Sequence, residues 1–387
     1  MTQQRYMIPS LLIFSVCAVL TYILVIFTAC INLFKGYVVD SFYITQFILI
    51  LLTIVVAFLG FGVDLWYKQK ALRYIGYSIL IILTATGNLF TLLMFISILR
   101  YKKTSELGIY NGWESFIIKI KSNKIASISV LILVFLLTIS VMSKYLFDTT
   151  LATQNQFDDL LKNPSLVHPF GTDDFGRDLF TRIVVGTKLT FFISIISVVI
   201  SVILGMILGM IAGYFVKIDN LVMRILDVVF AIPSLLLAVA IIASFGASTT
   251  NLIIALSIGN IPSFARTMRA NVLEVKRMEY VDAARITGET TPRILWSYIL
   301  PNSLSPMIVR FSLNIGVVVL TTSSLSFLGL GVSPEVPEWG NILRTGSNYL
   351  ETHSNLAIFP GLCIMLLVLA FNFIGDAVRD ALDPKIQ

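Results

Sequence analysis

Glu279-Tyr-Val-Asp-Ala-Ala-Arg-Ile-Thr-Gly288, with its continuation Glu-Thr-Thr-Pro-Arg-Ile-Leu-Trp-Ser-Tyr-Ile-Leu-Pro301, is a charged island set between long apolar runs. Ala283, Ala284 and Gly288 carry almost no side chain, and Ala284 and Gly288 are four apart, so a helix here has one bare face that another helix or a groove can approach closely. Gly288 suits a helix stop. Thr291 followed by Pro292 has the pattern of an N-cap with proline at the first helical position, so a second helix is predicted to start there and run toward Pro301. The charges of the island are mixed in sign, which argues against a nucleic-acid surface. Taken alone, these residues fit either a docking helix or an ordinary solvated loop between two spans.

The surroundings narrow the choice. Of the 387 residues, 57% are hydrophobic and only 13% charged, about half the charge of a soluble domain, so the chain is a polytopic membrane protein. A span needs about 20 mostly apolar residues. Nine candidate runs are present: Ile8 to Phe34, Ile44 to Leu65, Tyr74 to Leu99, Ile125 to Phe147, Leu189 to Phe215, Ile225 to Phe245, Leu252 to Met268, Ile308 to Leu330 and Leu356 to Ile374, the seventh being the weakest. The first is too long for the core of a cleavable signal and is expected to stay as an anchor. Cys17, Cys30 and Cys363 lie inside apolar runs without paired spacing, and His168 and His353 belong to no metal-binding pattern. No disulfide framework, bound metal or catalytic residue is expected.

Loop charges set the sidedness. Six basic residues between Arg100 and Lys124 and six between Arg266 and Arg293 place both stretches in the cytoplasm, the second one carrying the island. The segment between them, from about Asp148 to Thr187, is acidic on balance and is expected outside. Trp113, Phe116, Ile117 and Ile120 share a helical face from which Glu114, Lys119 and Lys121 are absent, the pattern of a helix lying in the interface. One loop conflicts: three full crossings before Arg100 would leave Lys68, Lys70 and Arg73 outside, unless one early run does not fully cross. Within the spans, Gly205, Gly209 and Gly213 form a groove for close helix packing. Pro233 is placed to kink its run, and Arg224 and Asp227 are one turn apart, as in a local ion pair. Asn260 and Asn314 fall in mid-membrane, either as translocation-path residues or as hydrogen-bonding glue between helices.

The chain has no Gly-Lys dipeptide and hence no phosphate-binding loop of its own. Asp282-Ala283-Ala284, Gly288 and Leu300-Pro301 resemble the coupling-loop signature of ABC importer permeases. With them stand His168-Pro-Phe-Gly-Thr-Asp-Asp-Phe-Gly-Arg-Asp178, Ser326-Phe-Leu-Gly-Leu-Gly331, Trp339-Gly-Asn341, Phe371-Asn-Phe-Ile-Gly-Asp376 and Arg379-Asp-Ala-Leu-Asp-Pro384. Together they resemble the second-permease (C-type) subunit of the oligopeptide, dipeptide and nickel ABC importer family over roughly residues 110 to 387. Asp282 stands where the family usually has Glu.

That resemblance implies an all-α, six-span type I ABC importer permease core at residues 125–387, with a cytoplasmic coupling loop at about 270–301. Residues 101–124 form the interfacial helix, and residues 1–100 add about three extra N-terminal transmembrane helices with no counterpart in the usual subunit. It implies a heterodimer with a homologous permease, two ABC ATPase subunits that carry the ATP, an extracytoplasmic substrate-binding protein, and peptides or metal chelates as cargo. No cofactor is expected on this chain; membrane lipids are expected as further partners, and nucleic acid is not. Asp282, Ala283, Ala284, Gly288, Leu300 and Pro301 would couple to an ATPase, so that bulk at Ala284 or Gly288 obstructs docking. The competing class is an ion-coupled secondary transporter or channel. Few charges lie in the spans from Ile125 onward and no inverted repeat is evident, which weighs against it.

Overall fold

The computed structural model of the chain describes residues 9–34, 39–67, 69–104 and 112–382. Among the described residues, six helices are long and apolar enough to cross a membrane: Ser10–Phe34, Phe42–Phe61, Lys124–Leu146, Leu179–Tyr214, Thr291–Phe327 and Asn355–Leu382. The pair Val216–Ala231 and Ser234–Phe245 adds a seventh crossing if it is counted as one broken span. The fold is all-α and polytopic. Lys68, the side chains of Arg100, Lys102, Lys103 and Trp113, and Asp383-Pro384 lie outside the described residues. By packing, the chain divides into two compact units, Met1–Leu189 with Thr345–Pro360, and Thr190–Arg344 with Gly361–Gln387.

The first unit holds α1 (Pro9–Ala29), α2 (Phe42–Phe61), α3 (Lys70–Thr84), α4 (Leu89–Thr104), α5 (Gly112–Ser122) and α6 (Lys124–Leu146). Helices α1 and α6 run the same way: Asn32, just past α1, donates to the Leu146 carbonyl at the end of α6 at 2.7 Å, and Ser10 at the start of α1 meets Glu114 of α5, which leads into α6. Helix α2 runs back, since Ser41 before it donates to the Tyr145 carbonyl while Gly60 near its end packs on Ser15.

The third apolar run does not form one crossing. It breaks between Thr84 and Leu89 into α3 and α4, of 15 and 16 residues, each short of the roughly 20 a span needs. The two fold back on each other. Tyr77 and Phe95 stack edge to face at 5.5 Å, and the Thr84 and Thr91 hydroxyls are 3.1 Å apart. In one continuous helix residues 77 and 95 would stand about 27 Å apart. Gly87 at the turn takes φ +87°, and a Cβ there would lie 3.1 Å from the Leu137 carbonyl oxygen and the Thr138 Cα of α6. Thr86 bonds the Tyr22 hydroxyl at 2.8 Å, and Asn88 donates to the Ala18 carbonyl, in the middle of α1. The hairpin tip is therefore buried midway along α1 and α6.

This hairpin removes the charge conflict. Lys70 and Arg73 at its start and Arg100, Lys102 and Lys103 at its end fall on one side, as the positive-inside tendency requires.

Glu114 also departs from the sequence reading. Placed on the polar face of an interfacial helix, it is instead 7% exposed, and its carboxylate accepts from the Ser10 amide and hydroxyl, capping the first turn of α1. A charged acceptor next to free backbone N–H groups outweighs the amphipathic pattern here.

The second unit holds most of α7 (Leu179–Tyr214), α8 (Val216–Ala231), α9 (Ser234–Phe245), α10 (Thr249–Val275), α11 (Glu279–Ile286), α12 (Leu300–Phe327), and parts of α13 (Trp339–Ser347) and α14 (Asn355–Leu382). Helices α8 and α9 meet at 84° across Ile232-Pro233, as the missing N–H of proline demands. The glycine stripe of α7 seats α10: a Cβ on Gly205 would strike the Cβ of Phe264, one on Gly209 the Ala265 carbonyl oxygen, and one on Gly213 the Val272 side chain. Arg224 and Asp227 do not pair. Asp227 accepts from Arg266 of α10 at 2.6 Å, and Asp219 accepts from Arg269 through two bonds of 2.5 Å, so both carboxylates of α8 reach across to α10.

Candidate coupling loop and translocation path

The charged island folds as expected at its core and differently at its edges. Helix α11 spans Glu279–Ile286, and its end closes by a turn in which Thr287 N–H bonds the Ala283 carbonyl and Glu289 N–H the Ala284 carbonyl. Gly288 completes that turn at φ +82°, a conformation costing other residues about 1–2 kcal/mol, with no atom within 4 Å of where a Cβ would be. The chain turns helical again at Thr291, but the N-cap residue is Thr290, and the helix does not stop at Pro301: it continues through α12 to Phe327.

Leu300 and Pro301 have a visible backbone role. Residues Ile294–Ile299 form a π turn, with the Leu300 N–H bonding the Leu295 carbonyl five residues back. Pro301 has no N–H to offer the Ser297 carbonyl, and its ring pushes that carbonyl away, so the wider turn relieves the clash.

The bare face needs correction. Ala284 is only 4% exposed and, with Val281 at 0%, faces inward onto the segment that carries the buried Ile294 and Ile299. The outward face consists of Asp282, Ala283, Arg285 and Ile286, followed by Gly288. Ile286 is 87% exposed, an unusual position for a large aliphatic side chain in a charged loop. Asp282 and Arg285 pair at 2.8 Å, but both are exposed, so the pair adds at most about 1 kcal/mol. At the base of the loop, Lys276 donates to the Gly213 carbonyl at 2.6 Å and so ties the loop to the end of α7. Burial first, and then the neighbouring Arg277, lowers the Lys276 pKa.

Asn314 of α12 and Asn260 of α10 meet, the Asn314 amide donating to Asn260 Oδ1 at 3.3 Å. Asn314 lines a cavity of about 580 Å³ with Ser305, Pro306 and Arg310 of α12, Thr267 of α10 and Arg379 of α14 among its walls. Asn260 supports this wall from behind. Arg310 is the residue that the sequence reading missed. It follows the start of the Ile308 run by two residues and passes for an ordinary flanking charge. The signal was there, as the one cation between Pro301 and Leu330.

The outer motifs are built for structure. Asp173 accepts from the Phe175 and Arg177 amides and pairs with Arg177 at 2.8 Å, while Arg182 donates to the Ala152 carbonyl. His168 Nδ1 lies 2.9 Å from Asp178, whose other oxygen accepts from the Thr181 amide and caps the start of α7. In the second unit, Trp339 is fully buried and Asn341 bonds the Val332 and Ser333 carbonyls. Glu338 is fully buried, and its carboxylate accepts from Thr190 and the Asn341 amide. Burial nevertheless raises its pKa above the ordinary carboxylate value. Among the described residues no group of three His, Cys, Asp or Glu side chains could hold a metal ion.

Residues 201–387 match the family described as "Binding-protein-dependent transport system inner membrane component". The chain is 42% identical over 276 residues to the dipeptide transport system permease protein of Alkalihalophilus pseudofirmus, covering 71% of this chain and 90% of that one. It belongs to the ABC importer permeases of the peptide family. Two glutathione transport system permease proteins are also similar. The one from Pectobacterium atrosepticum is 40% identical over 283 residues, with 73% and 94% coverage, and the one from Shigella flexneri 42% over 279 residues, with 71% and 91%. The chain is a C-type permease subunit, a multi-pass membrane protein and not an enzyme. Such ABC permeases work with ATPase subunits, a second permease and a binding protein, the ATPases carrying the hydrolysis.

Proposed function

We propose that this ABC permease forms one half of a peptide translocation path with a homologous permease, and that α11 docks on one of two cytoplasmic ATPases, which bind the ATP. An extracytoplasmic binding protein would deliver the cargo, with dipeptides and glutathione-sized peptides the first to test, since permeases for both are similar to this chain.

The observation that carries the coupling role is mechanical. Helix α11 is closed by the Gly288 turn, backed by the buried Val281 and Ala284, and continued through the π turn into a helical path of 37 residues ending at Phe327. A push on its outward face, Asp282, Ala283, Arg285 and Ile286, is therefore transmitted along one rigid rod into the membrane. Gly288 leaves the closing turn uncrowded, and the π turn before Leu300-Pro301 keeps the helix continuous from the loop into the span.

The test is disulfide or bifunctional crosslinking from Ile286→Cys to the co-expressed ATPase. Crosslinking that depends on nucleotide and falls away when the cysteine is moved to the buried Ala284 supports docking. Equal yields from both positions would refute it. On the same reading residues 1–100 are an accessory membrane region, residues 101–124 a connecting interfacial segment, and residues 125–387 the permease domain.

A further inference from the structure

The 580 Å³ cavity of the second unit is within the range of small-molecule sites, and its charge is one-sided. Two guanidinium groups, Arg310 and Arg379, are among its lining residues, and among the described residues no carboxylate is. Arg310 is half-buried. Its Nη1 donates to Thr267 at 2.7 Å and its Nη2 to Ser263, both neutral hydroxyls, while its buried Nε has no partner. No carboxylate among the described residues pairs with it, in contrast to Arg266 and Arg269 on the neighbouring helix. Asn314, one turn further along α12, spends its amide N–H on Asn260 and keeps a buried Oδ1 without a partner. A half-buried cation without a counter-ion, next to an orphaned acceptor, is costly unless something else completes both.

The geometry points to a ligand subsite in this cavity in which Arg310, with Arg379, takes an oxyanion, and Asn314 Oδ1 accepts an N–H carried by the same molecule. A peptide C-terminus has this chemistry: a carboxylate next to an amide N–H. The inference rests on the peptide-importer reading for the identity of the ligand, though not for the site. A lipid phosphate would satisfy Arg310 alone and would leave Asn314 unsatisfied.

The subsite is tested on the wild-type chain assembled with its co-expressed partner subunits in phosphatidylcholine nanodiscs. Phenylglyoxal modification of Arg310 is followed by mass spectrometry with dialanine or dialanine amide present. Saturable protection by dialanine and not by its amide is the expected result. Equal protection by both, or by neither, overturns the proposal. Protection that follows added phosphatidylglycerol and ignores dialanine also overturns it, by assigning the cation to lipid. In vesicle uptake, Arg310→Gln is expected to raise the KM for dialanine about tenfold, the scale of one charge-assisted hydrogen bond, with partial recovery in Arg310→Lys. An unchanged KM in Arg310→Gln counts against the site. If the wild-type assembly takes up no dialanine while protection persists, the importer reading fails and the subsite stands.

Discussion

At the residue scale, two small residues of the charged loop that look alike in sequence, Ala284 and Gly288, have different physical roles. Ala284 is packed inward, so Ala284→Leu is expected to overpack the loop at about 1–3 kcal/mol and to lower the thermal midpoint of the purified chain. Gly288 stands in open space at positive φ. Gly288→Trp is expected to insert normally and to abolish uptake, whereas Gly288→Asn, which tolerates the left-handed region, should retain most of it; matching losses in both variants would show that backbone strain, and not bulk, is what matters. Sequence spacing placed Ala284 and Gly288 on one side but had no means of telling which side faces the chain's own interior. That depends on Ile294 and Ile299, which become neighbours only once the loop has folded.

Glu338 gives a prediction in pH. Its folded pKa is raised, so between the ordinary carboxylate value near 4.5 and the raised value the folded state binds more protons than the unfolded one. Stability is then greatest below that ordinary value and falls as pH rises through the window. A thermal-stability series across pH should show this decline, and Glu338→Gln should flatten it; an unchanged slope in the variant would assign the dependence to another group. No local pattern marks Glu338 as buried: the Asn341 amide three residues on is a local donor, but the Thr190 hydroxyl that also donates to it lies 148 residues away in sequence.

At the scale of elements, hydropathy located every apolar run but not how each one is used. The run from Tyr74 to Leu99 has the length and composition of a span. Its Thr-Ala-Thr-Gly-Asn segment at 84–88 is the only sequence sign of a turn, and the loop charges were the better guide, since they already conflicted with three full crossings. The hairpin predicts that cysteines at Arg73 and Arg100 react with a membrane-impermeant maleimide from the same, cytoplasmic side. Labelling of the two from opposite sides would mean a full crossing. Conversely, the weak run at Leu252 to Met268 lies within the 27-residue α10, whose apolarity is low because its polar residues face other helices: Ser257 bonds the Ser197 carbonyl of α7, and Asn260 bonds Asn314 of α12. Hydropathy alone cannot separate a polar residue facing a neighbour helix from one facing water.

At the scale of the whole molecule, what the sequence made legible was the class and the family: an apolar, low-charge chain with a charged loop and five further motifs in order. The motifs proved to divide into two kinds once in three dimensions. His168 to Asp178 and Trp339 to Asn341 hold outer segments together through buried hydrogen bonds, while Asp282 to Pro301 shapes an exposed rod. The subsite around Arg310 was not legible, because a cation is only conspicuous when the absence of an anion around it can be seen.

The hairpin of α3 and α4 also has a consequence for how the chain is made. Its tip is held on one side by Tyr22 and Ala18, which leave the ribosome first, and on the other by Leu137 to Val141 of α6, which leave it later. Until α6 is inserted, half of the tip has only lipid beside it, and its turn backbone cannot be shielded there. The hairpin is therefore expected to settle only after α6 arrives, so that α1 to α4 and α6, which lie in one compact unit, mature together during synthesis.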